Sequence, residues 1–255
     1  MLKHRVIPVL LLRGSGLVKT LRFQSPKYVG DPINAIRIFN EKEVDELIVL
    51  DINASKLGGE PNYALIEEFA GECFMPLAYG GGIRSVEQAG RLFSLGVEKI
   101  CVQTAAFSDP ALITRLAERF GSQSVVVSLD IKRDWWGRAR AFSSADGRML
   151  KEPWPELAKR LVAAGAGELL VNAVDRDGTL AGPDLNLIRE ASAAVSVPII
   201  ALGGVSSLLD IKATVEAGAS AVAAGAFFVF HGPHRAVLIT YPRYQELENL
   251  FETNP

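Results

Sequence analysis

Two stretches of equal length decide the fold of this chain: residues 76–102, PLAYGGGIRSVEQAGRLFSLGVEKICV, and residues 198–224, PIIALGGVSSLLDIKATVEAGASAVAA. Each reads as a strand, a glycine turn, an amphipathic helix and a second strand. The first residues, Pro76 and Pro198, are 122 positions apart, and the same separation relates Gly96 to Gly218. The chain therefore contains an internal repeat, and its two halves are predicted to fold alike.

Outward from this repeat, eight short apolar runs alternate with helical patterns. The predicted strands are Arg5–Leu12, Glu46–Asp51, Phe74–Tyr79, Lys99–Gln103, Ser124–Asp130, Glu168–Val174, Pro198–Leu202 and Ala219–Ala224. Continuous apolar strands are typical of a parallel sheet that is covered on both faces. Eight β-then-α units predict an α/β fold, a single (β/α)8 TIM barrel over residues 1–255 built from two duplicated half-barrels. The alternative, a doubly wound open sheet, rarely needs eight regular units.

The composition limits the classes of function. The formal net charge is -2, which argues against a nucleic-acid partner, because such proteins usually gather basic residues on one face. No stretch reaches the roughly 18 apolar residues of a membrane span. The opening MLKHRVIPVLLLR holds Pro8 and ends in Arg13, so it is interpreted as a buried strand and not as a secretory signal. No membrane partner is expected, and the expected location is cytoplasmic.

The cysteines and histidines carry no disulfide or metal pattern. Cys73 and Cys101 lack a paired spacing and are predicted to be buried thiols in a reducing compartment. His4, His231 and His234 have no companions at metal-ligand spacing. The sequence therefore predicts no metal and no cofactor.

Glycine turns follow the strands of both repeats, at the end of the barrel where such folds hold their active sites. Glycines there let backbone N–H groups approach a phosphate, and the next helix N-terminus favours its charge. Two phosphate sites are predicted on opposite sides of the barrel mouth, for a phosphorylated small molecule. The first takes Gly81, Gly82, Gln103 and Thr104, and the second takes Gly203, Gly204, Gly225 and Ala226. The alternative is that these glycines serve tight turns only.

Asp130, at the end of an apolar strand, is the predicted catalytic residue. Burial there would raise the pKa of its carboxyl group into the range useful for proton transfer. Lys19 is assigned to the first βα loop, where it either reaches a phosphate or carboxylate or is solvated. Asp177 either hydrogen-bonds a ligand hydroxyl or braces a turn. For Asp51 and Asp175, a capping or loop-fixing role is at least as well supported as a catalytic role.

The repeat raises a question about the first strand. By the repeat, that strand corresponds to the strand that ends in Asp130, and the position equivalent to Asp130 falls in the leucine run Leu10, Leu11 and Leu12. An acid–base pair across the mouth needs a second carboxylate at this position. Leucine cannot transfer a proton.

The whole chain resembles the cyclase (HisF-type) subunit of imidazole glycerol phosphate synthase. The resemblance is carried by RVIP, GDP, ELIVLDINAS, GGGIRSVEQA, VQTAA, DRDGT and PIIALGG. It implies a barrel of duplicated halves that receives ammonia from a glutaminase (HisH-type) partner docked at the N-terminal barrel face. It further implies a lyase reaction of histidine biosynthesis, in which a ribosyl substrate with two phosphates is cleaved and closed into an imidazole.

The resemblance places the two catalytic aspartates of the family at Leu11 and Asp130, so one is retained and one is replaced. Gln103 stands where the family has asparagine, and the first loop lacks the usual acidic residue before its first glycine. At the opposite end of the barrel, the resemblance implies an ammonia gate formed by Arg5, Glu46, Lys99 and Glu168. Without the resemblance, these four charges read as a structural plug of paired ions.

With a retained ammonia gate below an altered active site, the chain resembles a paralogous branch of the family. That branch is associated with acetamidino sugars of bacterial surface polysaccharides, lipopolysaccharide among them. In that branch a glutaminase and this barrel supply ammonia to a separate sugar amidotransferase. Two other interpretations stay open. One is a working cyclase in which Asp130 and a water carry the proton transfers. The other is a non-catalytic subunit that activates a glutaminase when ligand fills the phosphate sites.

Overall fold

The structure is a computed structural model that describes residues 4–252. The strands are β1 (Arg5–Arg13), β2 (Gly16–Leu21), β3 (Gln24–Gly30), β4 (Leu47–Asp51), β5 (Leu77–Gly80), β6 (Lys99–Val102), β7 (Val125–Arg133), β8 (Ala139–Ser143), β9 (Arg148–Met149), β10 (Glu168–Ala173), β11 (Ile199–Leu202), β12 (Ala221–Ala224), β13 (Phe230–His231) and β14 (Ala236–Val237). The helices are α1 (Pro32–Glu41), α2 (Tyr63–Gly71), α3 (Val86–Ser94), α4 (Thr104–Ser108), α5 (Pro110–Phe120), α6 (Trp154–Ala163), α7 (Leu185–Ala194), α8 (Leu208–Glu216), α9 (Ala226–Val229) and α10 (Tyr244–Phe251). Ser122–Ser124 forms a 3-10 turn.

Eight of the strands, β1, β4 to β7 and β10 to β12, form a closed parallel barrel. Arg5 of β1 pairs with Ala221 of β12, and Asp130 of β7 pairs with Asn172 of β10, so the ring of strands has no open edge. Closure excludes the open doubly wound sheet. The predicted (β/α)8 TIM barrel is confirmed.

The alternation of side chains along each strand divides the apolar residues into two cores. One core fills the space between the strands and the surrounding helices and contains Phe39, Phe69 and Trp154. The other lies inside the barrel and contains Ile7, Ile48, Ala78, Cys101, Val126, Leu170, Ile200, Ala221 and Ala223. The inner core separates the strand starts from the strand ends, where the loops emerge.

The two halves also agree in the register of their strands. Leu11 of β1 pairs with Leu50 of β4, as Asp130 of β7 pairs with Asn172 of β10. Leu50 and Asn172 are 122 positions apart, the separation found in the sequence repeat. The register of the sheet therefore makes Leu11 the equivalent of Asp130, although the two residues are 119 and not 122 positions apart along the chain.

Each half inserts an antiparallel hairpin after its first strand. β2 and β3 follow β1, and β8 and β9 follow β7. The first insertion was predicted to be a loop that carries Lys19, and this prediction is wrong because the insertion is a hairpin. This residue lies in β2, and its side chain is buried beneath the barrel mouth.

Two smaller predictions are also corrected. The strand predicted to begin at Phe74 begins at Leu77, and Phe74 is exposed. Cys101 is buried as predicted, whereas Cys73 is only half-buried; both are free thiols. Within residues 4–252, no helix combines the length and apolar character that a membrane crossing requires.

Candidate active site at the barrel mouth

A cavity of about 380 Å³ opens at the carboxyl ends of the barrel strands. Its size is in the range of small-molecule binding sites. The wall holds most of the residues predicted from the sequence: Leu11, Lys19, Gly81, Gly82, Gln103, Thr104, Asp130, Asp177, Gly225 and Ala226. Gly203 and Gly204 do not line this cavity. They line a small neighbouring recess, which Gly225 and Ala226 share.

Two amides hold the carboxylate of Asp130 at the floor of this cavity. Gln103 donates from Nε2 to Oδ2 of Asp130 at 2.7 Å, and Asn172 donates from Nδ2 to Oδ1 at 3.3 Å. Ser144 donates to Oε1 of Gln103 at 3.3 Å, which fixes the orientation of that amide. Both carboxylate oxygens thus have a donor from the protein itself.

Burial raises the pKa of Asp130 to about 7, although the hydrogen bonds from Gln103 and Asn172 act in the opposite direction. Only 6% of the residue is exposed. A carboxyl group with such a pKa can accept or release a proton near neutral pH. The sequence prediction for the electrostatics of Asp130 therefore agrees with the structure, whereas a catalytic role stays a prediction.

The side of the cavity that faces β1 is apolar. Leu11 and Leu50 are neighbours in the sheet and both line the cavity. Their equivalents in the second half are Asp130 and Asn172, so both members of that polar pair are replaced by leucine in the first half. The described cavity wall contains no carboxylate at the position equivalent to Asp130.

Two residues of opposite charge, Lys19 and Asp177, line the cavity, Lys19 buried and Asp177 half-buried. The ammonium group of Lys19 donates to the backbone carbonyl of Val9, and Thr20 donates from Oγ1 to Asp177 at 3.2 Å. Burial lowers the pKa of Lys19 to about 8, against the attraction of Asp177. Burial likewise raises the pKa of Asp177, and the charge of Lys19 opposes this. Asp177 therefore braces the hairpin that carries Lys19 and also faces the cavity.

The backbone itself requires glycine at the two equivalent turns. Gly81 has a φ of 121°, and a Cβ atom on it would lie 2.6 Å from the carbonyl oxygen of Asp51. Gly204 has a φ of 92°, and its Cβ atom would lie 2.2 Å from the carbonyl oxygen of Gly182. Tight turns therefore account for these glycines without a ligand, and phosphate binding stays a prediction.

At the opposite end of the barrel, four charged side chains form the ion ring: Arg5, Glu46, Lys99 and Glu168. Arg5 bonds Glu46 and also Glu168, the latter at 2.8 Å. Lys99 lies 3.1 Å from Glu46 and 3.2 Å from Glu168. Each cation thus contacts both carboxylates, and the ring closes at the strand starts. The structure brings the four predicted gate residues together, while their role stays a prediction.

Sequence reasoning missed several residues of the mouth. Asn172, whose amide holds Asp130, is the single polar residue of β10 after Glu168 at its start, and that position was the available signal. Lys56 and Arg84 also line the cavity. Arg84 donates to the carbonyl groups of Gly58 and Gly59 at 2.7 Å, so it fixes the loop after β4.

The capping predictions agree with the structure. Asp51 accepts hydrogen bonds from the backbone of Asn53 and Ala54, and Asp175 accepts one from the backbone of Arg133. Both carboxylates stabilise loops.

Closed barrels of this kind bind their ligands at the face where the mouth cavity lies. By class, the protein is a (β/α)8 barrel with a cavity of small-molecule size at the carboxyl ends of its strands. Residues 5–233 match the family described as "Histidine biosynthesis protein". The chain belongs to this family.

Relatives of known name are similar over nearly the whole chain. A Pseudomonas aeruginosa protein named "Putative imidazole glycerol phosphate synthase subunit hisF2" is 56% identical over 97% of this chain and 99% of its own length. A Vibrio vulnificus protein named "Putative imidazole glycerol phosphate synthase subunit hisF3" is 48% identical over 99% of this chain and 98% of its own length. The Exiguobacterium sibiricum "Imidazole glycerol phosphate synthase subunit HisF" is 39% identical over 89% of this chain and 91% of its own length. The chain is thus a homologue of HisF-type cyclase subunits.

Proposed function

We propose that this chain receives ammonia from a glutaminase (HisH-type) partner at its N-terminal barrel face and conducts it to the mouth. There the ammonia serves the acetamidino modification of a sugar of bacterial surface polysaccharide, through a separate sugar amidotransferase. The observation that carries the proposal is the contrast between the two barrel ends. The ion ring is complete at one end, and at the other end Leu11 occupies the position equivalent to Asp130.

The ion ring suits a gate because its charges are paired and stand at the strand starts. If one contact of the ring breaks, every member still contacts at least one residue of opposite charge, since each cation touches two carboxylates. A ring with redundant contacts can open locally at a lower cost than an isolated buried ion pair.

The interior above the ring is suited to a small uncharged molecule. Small side chains, Ala78, Cys101, Ala221 and Ala223, belong to the inner core. An ammonium ion would lose its hydration in this apolar region, which costs far more than the transfer of neutral ammonia. The cargo that fits the path is therefore NH3.

The mouth of a conduit does not need an acid–base pair, whereas a cyclase does. Removing one member of such a pair commonly costs about 10²- to 10⁴-fold in rate. In the second half of the barrel, the equivalents of Leu11 and Leu50 are Asp130 and Asn172, so the first half lacks both polar groups.

A second candidate function is that of the cyclase (lyase) subunit of imidazole glycerol phosphate synthase in histidine biosynthesis. The observation that favours it is Asp130, whose pKa of about 7 suits general acid–base catalysis. In this case Asp130 and a water, or a further residue not identified from the sequence, carry the proton transfers of ring closure.

One assay separates the two functions. Purified protein is mixed with the bis-phosphate ribosyl substrate of the cyclase and a high concentration of ammonium salt, and loss of substrate is followed by absorbance. An active HisF subunit serves as the positive control. The conduit proposal expects no turnover above the uncatalysed rate. Turnover comparable to that of the control would establish the cyclase and contradict the proposal.

A further inference from the structure

A second cavity of about 400 Å³ lies beside the mouth and plays no part in the proposed function. It is bounded by the β7–β8 hairpin, the turn between β2 and β3, and the loop that follows β10. Its charged lining consists of Arg22, Arg133, Arg176, Asp175 and Asp184. Three guanidinium groups and two carboxylates leave this cavity with an excess of positive charge.

Both carboxylates of the cavity are engaged by one arginine. Asp184 lies 2.7 Å from Nη2 of Arg133, and Asp175 accepts the backbone N–H of Arg133 at 2.7 Å. Arg176 donates only to the backbone carbonyl of Ala181, at 3.1 Å. Arg22 has no side-chain hydrogen bond or ion pair within residues 4–252. Two guanidinium groups on the cavity wall are therefore without a carboxylate partner.

The backbone holds Arg22 over this cavity in an unfavourable conformation. Arg22 and Phe23 form the turn between β2 and β3 with φ values of 51° and 64°. Turns of this geometry ordinarily take asparagine and glycine. A bond from the N–H of Arg22 to the carbonyl of Asp177, at 2.9 Å, keeps the turn in place. Strained residues of this kind concentrate at ligand sites.

The charges are absent from the equivalent place in the first half. Asp175, Arg176 and Asp184 correspond, 122 positions earlier, to Asn53, Ala54 and Asn62. Both Asn62 and Asp184 cap the helix that follows them, so the two loops share a scaffold. The scaffold therefore does not require the charged cluster, which is specific to the second half.

We propose that this second cavity binds a small phosphate ester. Arginine guanidinium groups bind phosphate oxygens through paired N–H donors, and Arg22 and Arg176 are the groups with donors to spare. Arg133 has a positioning role, since Asp184 and the carbonyl of Gly137 already hold its guanidinium group. A cavity of this volume accommodates a ligand larger than free phosphate.

The test is a titration of the full chain with inorganic pyrophosphate, followed by nuclear magnetic resonance of the arginine Nε–H groups. Single Arg→Lys variants assign the signals of Arg22 and Arg176. The backbone amides of Gly81 and Gly82 report on the mouth in the same spectra. We expect saturable shifts of both arginine signals.

Two variants and a control complete the test. Arg22→Asn keeps a residue suited to positive φ, and Arg176→Ala removes the second free guanidinium group. Together they should weaken the affinity of the second cavity for pyrophosphate at least ~10-fold, because charge-assisted hydrogen bonds are lost. Arg189→Ala, on the exposed side of α7, should leave it unchanged. Shifts that never saturate, an equal effect of Arg189→Ala, or shifts confined to Gly81 and Gly82 would each overturn the proposal.

Discussion

At Asp130, burial and hydrogen bonding act on one carboxyl group in opposite directions, and burial is the larger effect. Two amides from different strands occupy both of its oxygens. The group is therefore held in one orientation whether or not it carries a proton. Such a group can orient a ligand at the mouth in either protonation state.

Asp130→Asn is expected to stabilise the protein at high pH and to have less effect at low pH. The folded state keeps the proton up to about pH 7, whereas the unfolded chain releases it near the ordinary value of 3.8. The free energy of unfolding therefore falls as the pH rises between these values. At about pH 8 the variant should gain ~2–4 kcal/mol, from about 1.4 kcal/mol for each pH unit of the shift.

Urea unfolding of both proteins at about pH 4.5 and about pH 8 measures this difference. Asp109→Asn is the matched control, because Asp109 is exposed and Arg115 lowers its pKa by hydrogen bonding. A gain for Asp130→Asn that is equal at both pH values would contradict the raised pKa.

If the chain is a conduit as proposed, Leu11→Asp is expected to create cyclase activity. Leu11 lines the cavity and is partly exposed, so a carboxylate is tolerated there. Restoring an acid–base partner for Asp130 should raise ammonium-dependent turnover by ~10²-fold or more over background. Leu11→Asn, which has the same shape without the acid, should stay inactive. No gain with Leu11→Asp would mean that Leu11 alone does not account for the lost chemistry.

Sequence reasoning found Asp130 and Gln103, but it found neither Asn172 nor the hydrogen bonds that both amides donate to Asp130. The position of Asp130 at a strand end was readable, whereas the contacts with Gln103 and Asn172 depend on the register of β6, β7 and β10. Lys19 shows the same limit. Its burial depends on how the β2–β3 hairpin packs over the barrel, and a local pattern of polar residues does not contain that information.

At the scale of elements, repeated strands were easier to predict than the insertions between them. The barrel strands are apolar on both faces, and this pattern is independent of their neighbours. β3 is largely exposed and polar, so its sequence resembles a loop. The segment becomes a strand only because it pairs with β2.

The turn of that hairpin carries a measurable strain. Replacing Arg22 and Phe23 by Asn and Gly matches the residue types that a turn with two positive φ values requires. The double variant is expected to be more stable by ~1–2 kcal/mol, because strained non-glycine residues cost about this much. Thermal and urea unfolding measure the change.

Gly14→Ala provides the opposite control for the turn. Gly14 has a φ of 64°, and nothing lies within 4 Å of a Cβ atom placed on it. Alanine there introduces only backbone strain, with an expected loss of ~1 kcal/mol. If the Asn–Gly variant is no more stable than wild type while Gly14→Ala is destabilised, the Arg22–Phe23 turn is not strained.

At the scale of the whole molecule, the ion ring links four strands from both halves. Lys99→Glu would place a third carboxylate beside Glu46 and Glu168, with Arg5 as the only cation. In the reconstituted complex with glutaminase and acceptor, transfer from glutamine should fall ~10-fold or more, since a buried unpaired charge disrupts its surroundings. Transfer from free ammonium salt should be retained, because that ammonia enters from the mouth.

Lys99→Met covers the case in which the reversed charge prevents folding. It removes the cation without adding an anion, and the same separation of the two activities is expected. The control is Arg37→Met, which breaks the exposed pair with Glu72 and should leave both activities unchanged. Equal loss of both activities in the Lys99 variants would rule out a gate at the ring.

The ion ring also constrains the history of the chain. Glu46 and Glu168 are equivalent in the repeat, but the equivalents of Arg5 and Lys99 are Ser124 and Ala221. An ancestor made of two identical first halves would carry four cations and two carboxylates at this end of the barrel. An ancestor made of two identical second halves would carry two carboxylates and no cation there. The balanced ring exists only where the halves differ. Charge balance at this end is therefore a product of divergence after the duplication. A barrel built from two copies of the same half would lose this balance.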